Sequence, residues 1–170
     1  MTVRPILKFP NPGLRLSAAR VDAFDADLRE LATDLLETMQ AAKGIGITAP
    51  HIGVLKQVSV IRLSETDPVK TYVNPQVSWA SDELQAYKEG SVSMQDVLDE
   101  IERPARVRVT YQDLTGAEQV EEADSLLAVC LQHEIDQLNG IFWLDKLSRL
   151  RRERVIKRYE KVRRLTQTVG

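Results

Sequence analysis

One stretch of the sequence carries residue types and spacings suited to metal chemistry. In LLAVCLQHEIDQLNG, positions 126–140, His133 and Gln137 stand four residues apart, with Glu134 beside the first of them. Four residues are about one helical turn, so the two side chains stack on one face of a helix. With histidine at both positions the pattern would be H-E-x-x-H. There, two imidazoles hold a divalent metal and the glutamate moves protons for the bound water. Gln137 interrupts it, because an amide is a poor ligand for zinc or ferrous iron. The result is the frame of a metallohydrolase helix with one ligand missing.

The elements that must position these residues follow from apolar periodicity. Leu127, Leu131, Ile135 and Leu138 recur at helical spacing, which predicts a helix with a core-facing stripe, capped by Asp124 or Ser125. An earlier amphipathic helix is expected from Asp25 or Asp27 to about Ala42, carried by Leu28, Leu31, Ala32, Leu35 and Met39. Lys43 and Gly44 suit its end. β-Branched stretches at 54–63, 71–77, 106–112 and 118–122 read as strands, the last two joined by a turn at Asp113-Leu114-Thr115-Gly116. The chain after Trp79 reads as polar up to Glu89, and the first 17 residues as an extended arm and turn. A long helix is expected over about 147–165. The sum is an α+β fold in a single domain over 1–170, with antiparallel sheets around the central helix and a C-terminal helix.

Composition narrows the setting. A chain of 170 residues can bury a substantial core. The net charge of −2 gives no general pull toward nucleic acid, but between positions 146 and 164 ten basic residues face only two acidic ones. The tail is therefore a basic element on a more acidic body. A single cysteine, Cys130, excludes an internal disulfide and fits a reducing compartment. No apolar run is long enough to span a bilayer, so a cytoplasmic protein without membrane contact is expected.

Three segments considered together point to a family. Gly44-Ile45-Gly46-Ile47-Thr48-Ala49-Pro50-His51, Glu89-Gly90-Ser91-Val92-Ser93 and His133-Glu134-Ile135-Asp136-Gln137 resemble, in order and separation, the three motifs of peptide deformylase. Those motifs read GxGΦAAxQ, EGCΦS and HExxH. The resemblance runs from Phe9-Pro10-Asn11-Pro12-Gly13-Leu14-Arg15 to the C-terminal helix. It implies the deformylase fold and removal of the formyl group from the N-terminal methionine of nascent peptides. It further implies iron or zinc held by the cysteine of the second motif and both histidines of the third. In that scheme the glutamate of the third motif is the proton shuttle, and the glutamine of the first bonds the formyl oxygen. Carried over by position, Glu134 is the catalytic acid/base and His133 the one retained ligand. Ser91 replaces the cysteine, Gln137 the second histidine and His51 the glutamine. Ile45, Gly46, His51, Gly90, Val92, Val129 and Cys130 would line the peptide site, and the basic C-terminal helix would contact the ribosome.

The replacements set the expectations. Four-ligand zinc sites bind with about 10–16 kcal/mol, a crude share of about 3–4 kcal/mol per ligand. His133 alone would then hold metal only at roughly the millimolar level. No cofactor is expected, deformylation should be lost or strongly impaired, and peptide N-termini could still bind. Mutual hydrogen bonds among Ser91, Gln137 and Glu134 are expected to fill the vacated site. The alternative is a working deformylase or related metallohydrolase, with iron or zinc on His51, His133 and a glutamate, Glu89 or Glu134. A Ser91–His51 nucleophile pair is a further arrangement. Each feature also has a plainer explanation: the cleft residues as core, Cys130 as packing, and the basic tail as a solvated face with Val155, Ile156, Tyr159 and Val162 turned inward. Two departures bear on the peptide rim: Met94-Gln95 in place of a proline-containing continuation, and the acidic run DVLDEIE at 96–102. Without hydrogen-bond donors, a Glu134 enclosed in a cavity should have a raised pKa.

Overall fold

The computed structural model describes residues 2–169. After an extended arm and a 3-10 turn at Pro12–Arg15, helix α1 spans Ala26–Ala41. Its N-cap is Asp25, whose side chain accepts from the Leu28 amide at 3.0 Å. Leu28, Leu31, Leu35 and Met39 form its buried stripe. Lys43, at φ 57°, ends it in the left-handed conformation.

Seven strands follow in chain order: β1 Gly46–Thr48, β2 Val58–Ile61, β3 Lys70–Ala80, β4 Leu84–Ser91, β5 Met94–Pro104, β6 Arg106–Gln112 and β7 Glu118–Asp124. Five make one antiparallel sheet in the order β1-β2-β3-β6-β7, and β4 and β5 make a separate hairpin. Helix α2, Ser125–Leu138, starts from Asp124 and packs Ala128, Leu131 and Ile135 against Tyr72, Val107 and Val109 of the sheet. Helix α3, Arg149–Val169, lays Val155 and Tyr159 on Met94, Val97 and Ile101 of the hairpin, with Phe142, Trp143 and Leu144 completing that cluster. The α+β arrangement anticipated from the sequence, antiparallel sheets around a central helix with a further helix at the C-terminal end, is the one observed.

Two differences concern the hairpin and the strand lengths. The polar segment between Trp79 and Glu89 holds most of β4, and β5, at 94–104, was not anticipated. Along β5, Val97, Ile101 and Arg103 point inward with Asp99 half-buried between them, so charge on the inner face masks the alternation. A register shift between Glu89 and Ser91 interrupts β4 as well. The first expected strand is shorter than 54–63, beginning only at Val58, and β3 runs on to Ala80. On α3, Val155 and Tyr159 are buried and Ile156 and Val162 half-buried, as the solvated-face pattern requires. Arg151 pairs with Asp99 at 2.6 Å and Arg152 donates to the Leu144 and Leu147 carbonyls, whereas Arg154, Lys157 and Lys161 are exposed. No helix among the described residues is long and apolar enough to cross a membrane.

Candidate functional site

A cleft of about 530 Å³ opens between the loop entering β1, the β4–β5 hairpin and α2. Ile45, Gly46, His51, Gly90, Ser91, Val92, Val129, Cys130, His133 and Glu134 all line it, so the three sequence segments converge on one place. Gln137 is not among the lining residues. Two glycines permit the close approach of these walls. A Cβ on Gly46 would lie 2.9 Å from Glu134 Oε1, and one on Gly90 2.9 Å from the Val97 carbonyl oxygen.

His133 is held from beneath. Its Nδ1 bonds Glu89 Oε1 at 2.9 Å, and Arg103 grips the same carboxylate through Nε at 2.6 Å and Nη2 at 3.0 Å. Arg103 Nη1 reaches Asp136 at 2.8 Å. Burial works against the ionised Glu89, but the bonds from His133 and Arg103 and their charges outweigh it and hold its carboxyl below the usual range. Burial likewise opposes charge on His133, yet the Glu89 bond and the Glu134 and Glu89 charges raise its pKa. Arg103 and Asp136 went unnoticed in the sequence. The inward alternation of β5 was the available signal for Arg103. Asp136 lies three residues past His133, inside a motif whose lettering draws the eye elsewhere.

His51 is 1% exposed and its Nδ1 accepts from the Thr48 backbone amide at 2.9 Å. A backbone N–H only donates, so Nδ1 carries no proton and Nε2 carries it. Burial, then the nearby His133 charge, push the pKa down to about 3, so the ring is neutral. Its Nε2 has no hydrogen-bond partner. To bind a metal through Nε2 the ring would have to move its proton to Nδ1, against the Thr48 amide. A metal on His51, His133 and a glutamate would therefore require the other His51 tautomer and the loss of the Thr48 bond. Among the described residues, no group of three or more His, Cys, Asp or Glu side chains is arranged to hold a metal ion.

The expected polar cluster is corrected. Gln137, 1% exposed, donates its amide to the Leu14 carbonyl at 2.7 Å, which turns it toward the N-terminal arm. Ser91 Oγ accepts from the Ser93 amide at 3.0 Å. Glu134 Oε2 is buried without a partner. The three side chains thus do not bond one another, because backbone groups closer to hand take two of them. Nor does the Ser91–His51 pair form, since His51 Nδ1 is engaged by Thr48 and its Nε2 is unpartnered. Burial raises Glu134 to about 7; the His133 and Arg103 charges oppose that shift and the Glu89 charge adds to it. Burial first, then Glu134 and Glu89, push the Cys130 thiol up to about 12, which makes it packing rather than a nucleophile. The family's metal does not fit this donor set: a hydroxyl and an amide, both engaged elsewhere, stand at two of three ligand positions.

Comparison with known proteins covers nearly the whole chain. The polypeptide deformylase family model matches residues 3–153. A peptide deformylase-like protein of Brucella melitensis is 62% identical over 164 residues, 96% of this chain and 100% of its own length. A peptide deformylase of Rhizobium meliloti is 45% identical, covering 95% of this chain and 94% of its own. The crystal structure of a peptide deformylase from Legionella pneumophila superposes with a TM-score of 0.92 at 35% identity, covering 98% of each chain.

Proposed function

Because this chain belongs to the polypeptide deformylase family, we propose that it keeps the family's peptide cleft and has given up metal-dependent deformylation, acting in the cytoplasm as a binding protein for peptide N-termini. The observation that carries this reading is the fate of the ligand positions. Gln137 is committed to the Leu14 carbonyl and Ser91 to the Ser93 amide, while the cleft above them stays open. Strand β1 is a sheet edge beside that cleft, so an extended peptide has a backbone to pair with. Ile45, Val92 and Val129 offer an apolar wall for its first side chain. The higher identity to a deformylase-like relative, 62% against 45% for a named deformylase, supports the same reading.

The test is direct. Purified protein should carry well under one iron, zinc, nickel or cobalt per chain, show no chelator-sensitive turnover of a formyl-methionyl peptide under anaerobic conditions, and bind short peptides beginning with methionine. Stoichiometric metal together with chelator-sensitive turnover would overturn the reading.

A further inference from the structure

We infer that Asn139 is a site of deamidation, and that its conversion to isoaspartate releases the N-terminal arm from the end of α2. The chain has three asparagines. Asn11 and Asn74 each precede a proline, whose nitrogen carries no hydrogen and cannot close a ring onto the side chain before it. Asn139 precedes Gly140, which has no side chain to hinder that attack. Asn139 is also exposed and lies just past the last helical residue, as the C-cap of α2 at φ −91° and ψ 9°. It does not line the cleft, so the site stands apart from peptide binding.

The step needs only water and hydroxide. The Gly140 backbone nitrogen gives its proton to hydroxide and bonds to Asn139 Cγ, and the side-chain nitrogen leaves as ammonia, closing a succinimide. Water then opens either ring carbonyl, giving aspartate or isoaspartate, so the sum is one water consumed and one ammonia released. The nucleophile is restrained by its bond to the Gln137 carbonyl, at 3.0 Å, which lies at a helix end where hydrogen bonds open most readily. The arm, in turn, has no slack against the product. A Cβ on Gly140, at φ 77°, would stand 2.7 Å from the Arg15 carbonyl oxygen. Ser17 Oγ donates to the Asn139 carbonyl at 3.2 Å, and the Ala18 amide to the Leu138 carbonyl at 2.8 Å. Isoaspartate lengthens the backbone by one methylene between residues 139 and 140. It also sets a carboxylate at the C-terminal end of a helix that has no basic residue in its last turn. Both changes push these contacts apart.

Full-length protein held at mildly alkaline pH and body temperature tests this, with peptide mass mapping, enzymatic methylation of isoaspartate and hydrogen exchange on the same samples. Asn139 should convert, mainly to isoaspartate, while Asn11 and Asn74 stay intact. In the converted fraction the Leu7 and Ala18 amides should exchange about tenfold faster, the equivalent of roughly one hydrogen bond of arm attachment. N139Q, which would have to close a larger and slower ring, should stay unconverted, with unchanged exchange over the same period. The measurement on the unaltered chain needs no variant, so it survives if N139Q fails to fold. Failure of Asn139 to convert in the time that the urea-unfolded chain converts fully would overturn the site. Conversion without faster exchange at Ala18 would overturn the release of the arm.

Discussion

Glu134 and His51 pull stability in opposite directions with pH. Glu134 is raised from 4.5 to about 7, so between those values it is protonated in the fold and ionised in the unfolded chain. The unfolded state then binds fewer protons, and stability falls as pH rises through that window, levelling off above about 7. His51, lowered from 6.5 to about 3, is neutral in the fold where the unfolded ring would be charged, so its contribution is lost as pH falls through that range. E134Q should remove the first effect. Its stability relative to the parent should climb from pH 4.5 to 7, toward a gain of up to about 3 kcal/mol. Thermal melts across a pH series check this, and a pH-independent difference would contradict it. G46A should force the new methyl onto Glu134 Oε1 and destabilise the chain by about 1–3 kcal/mol. Denaturant unfolding measures that, and an unchanged midpoint would contradict it.

At the level of elements, the N-terminal arm works as a clasp. Leu7 N donates to the His51 carbonyl, Phe9 N to the Ser93 carbonyl, and the Leu14 carbonyl accepts from Gln137, so one strand of chain ties all three cleft segments together. Q137A should leave the buried Leu14 carbonyl unpaired and open a small cavity, costing about 2–4 kcal/mol. Hydrogen exchange should then show faster exchange at the Leu7 and Phe9 amides; exchange confined to α2 would contradict the clasp. Strand β5 has a comparable role through Arg103. R103M leaves Glu89 and Asp136 without their shared cation, and a loss of about 3–5 kcal/mol is expected in denaturant unfolding. These two elements also show where the sequence stops being legible. Helices α1 and α2 and strands β6 and β7 were readable because their periodicity is carried by apolar residues. Strands β4 and β5 were not, since Asp99 and Arg103 occupy inward-facing positions. The cleft lining was readable from the three motifs, but the partners of Gln137 and His51 depend on where the arm and the Thr48 amide lie in three dimensions.

Over the whole molecule, a five-stranded sheet and a two-stranded hairpin are hung on α2, with the cleft at their junction and α3 closing the hairpin's outer side. That frame is the family's, while the groups at its centre have been reassigned. A buried Glu89–Arg103–Asp136 network orients His133, and Ser91 and Gln137 bond backbone groups. The central claim is that this arrangement holds no resident metal, and elemental analysis of anaerobically purified protein tests it most directly. The parent chain should contain well under one transition metal per molecule, while a chain carrying S91C, Q137H and H51Q should approach one. About one metal per molecule in the parent, removed by chelator together with deformylase turnover, would contradict it.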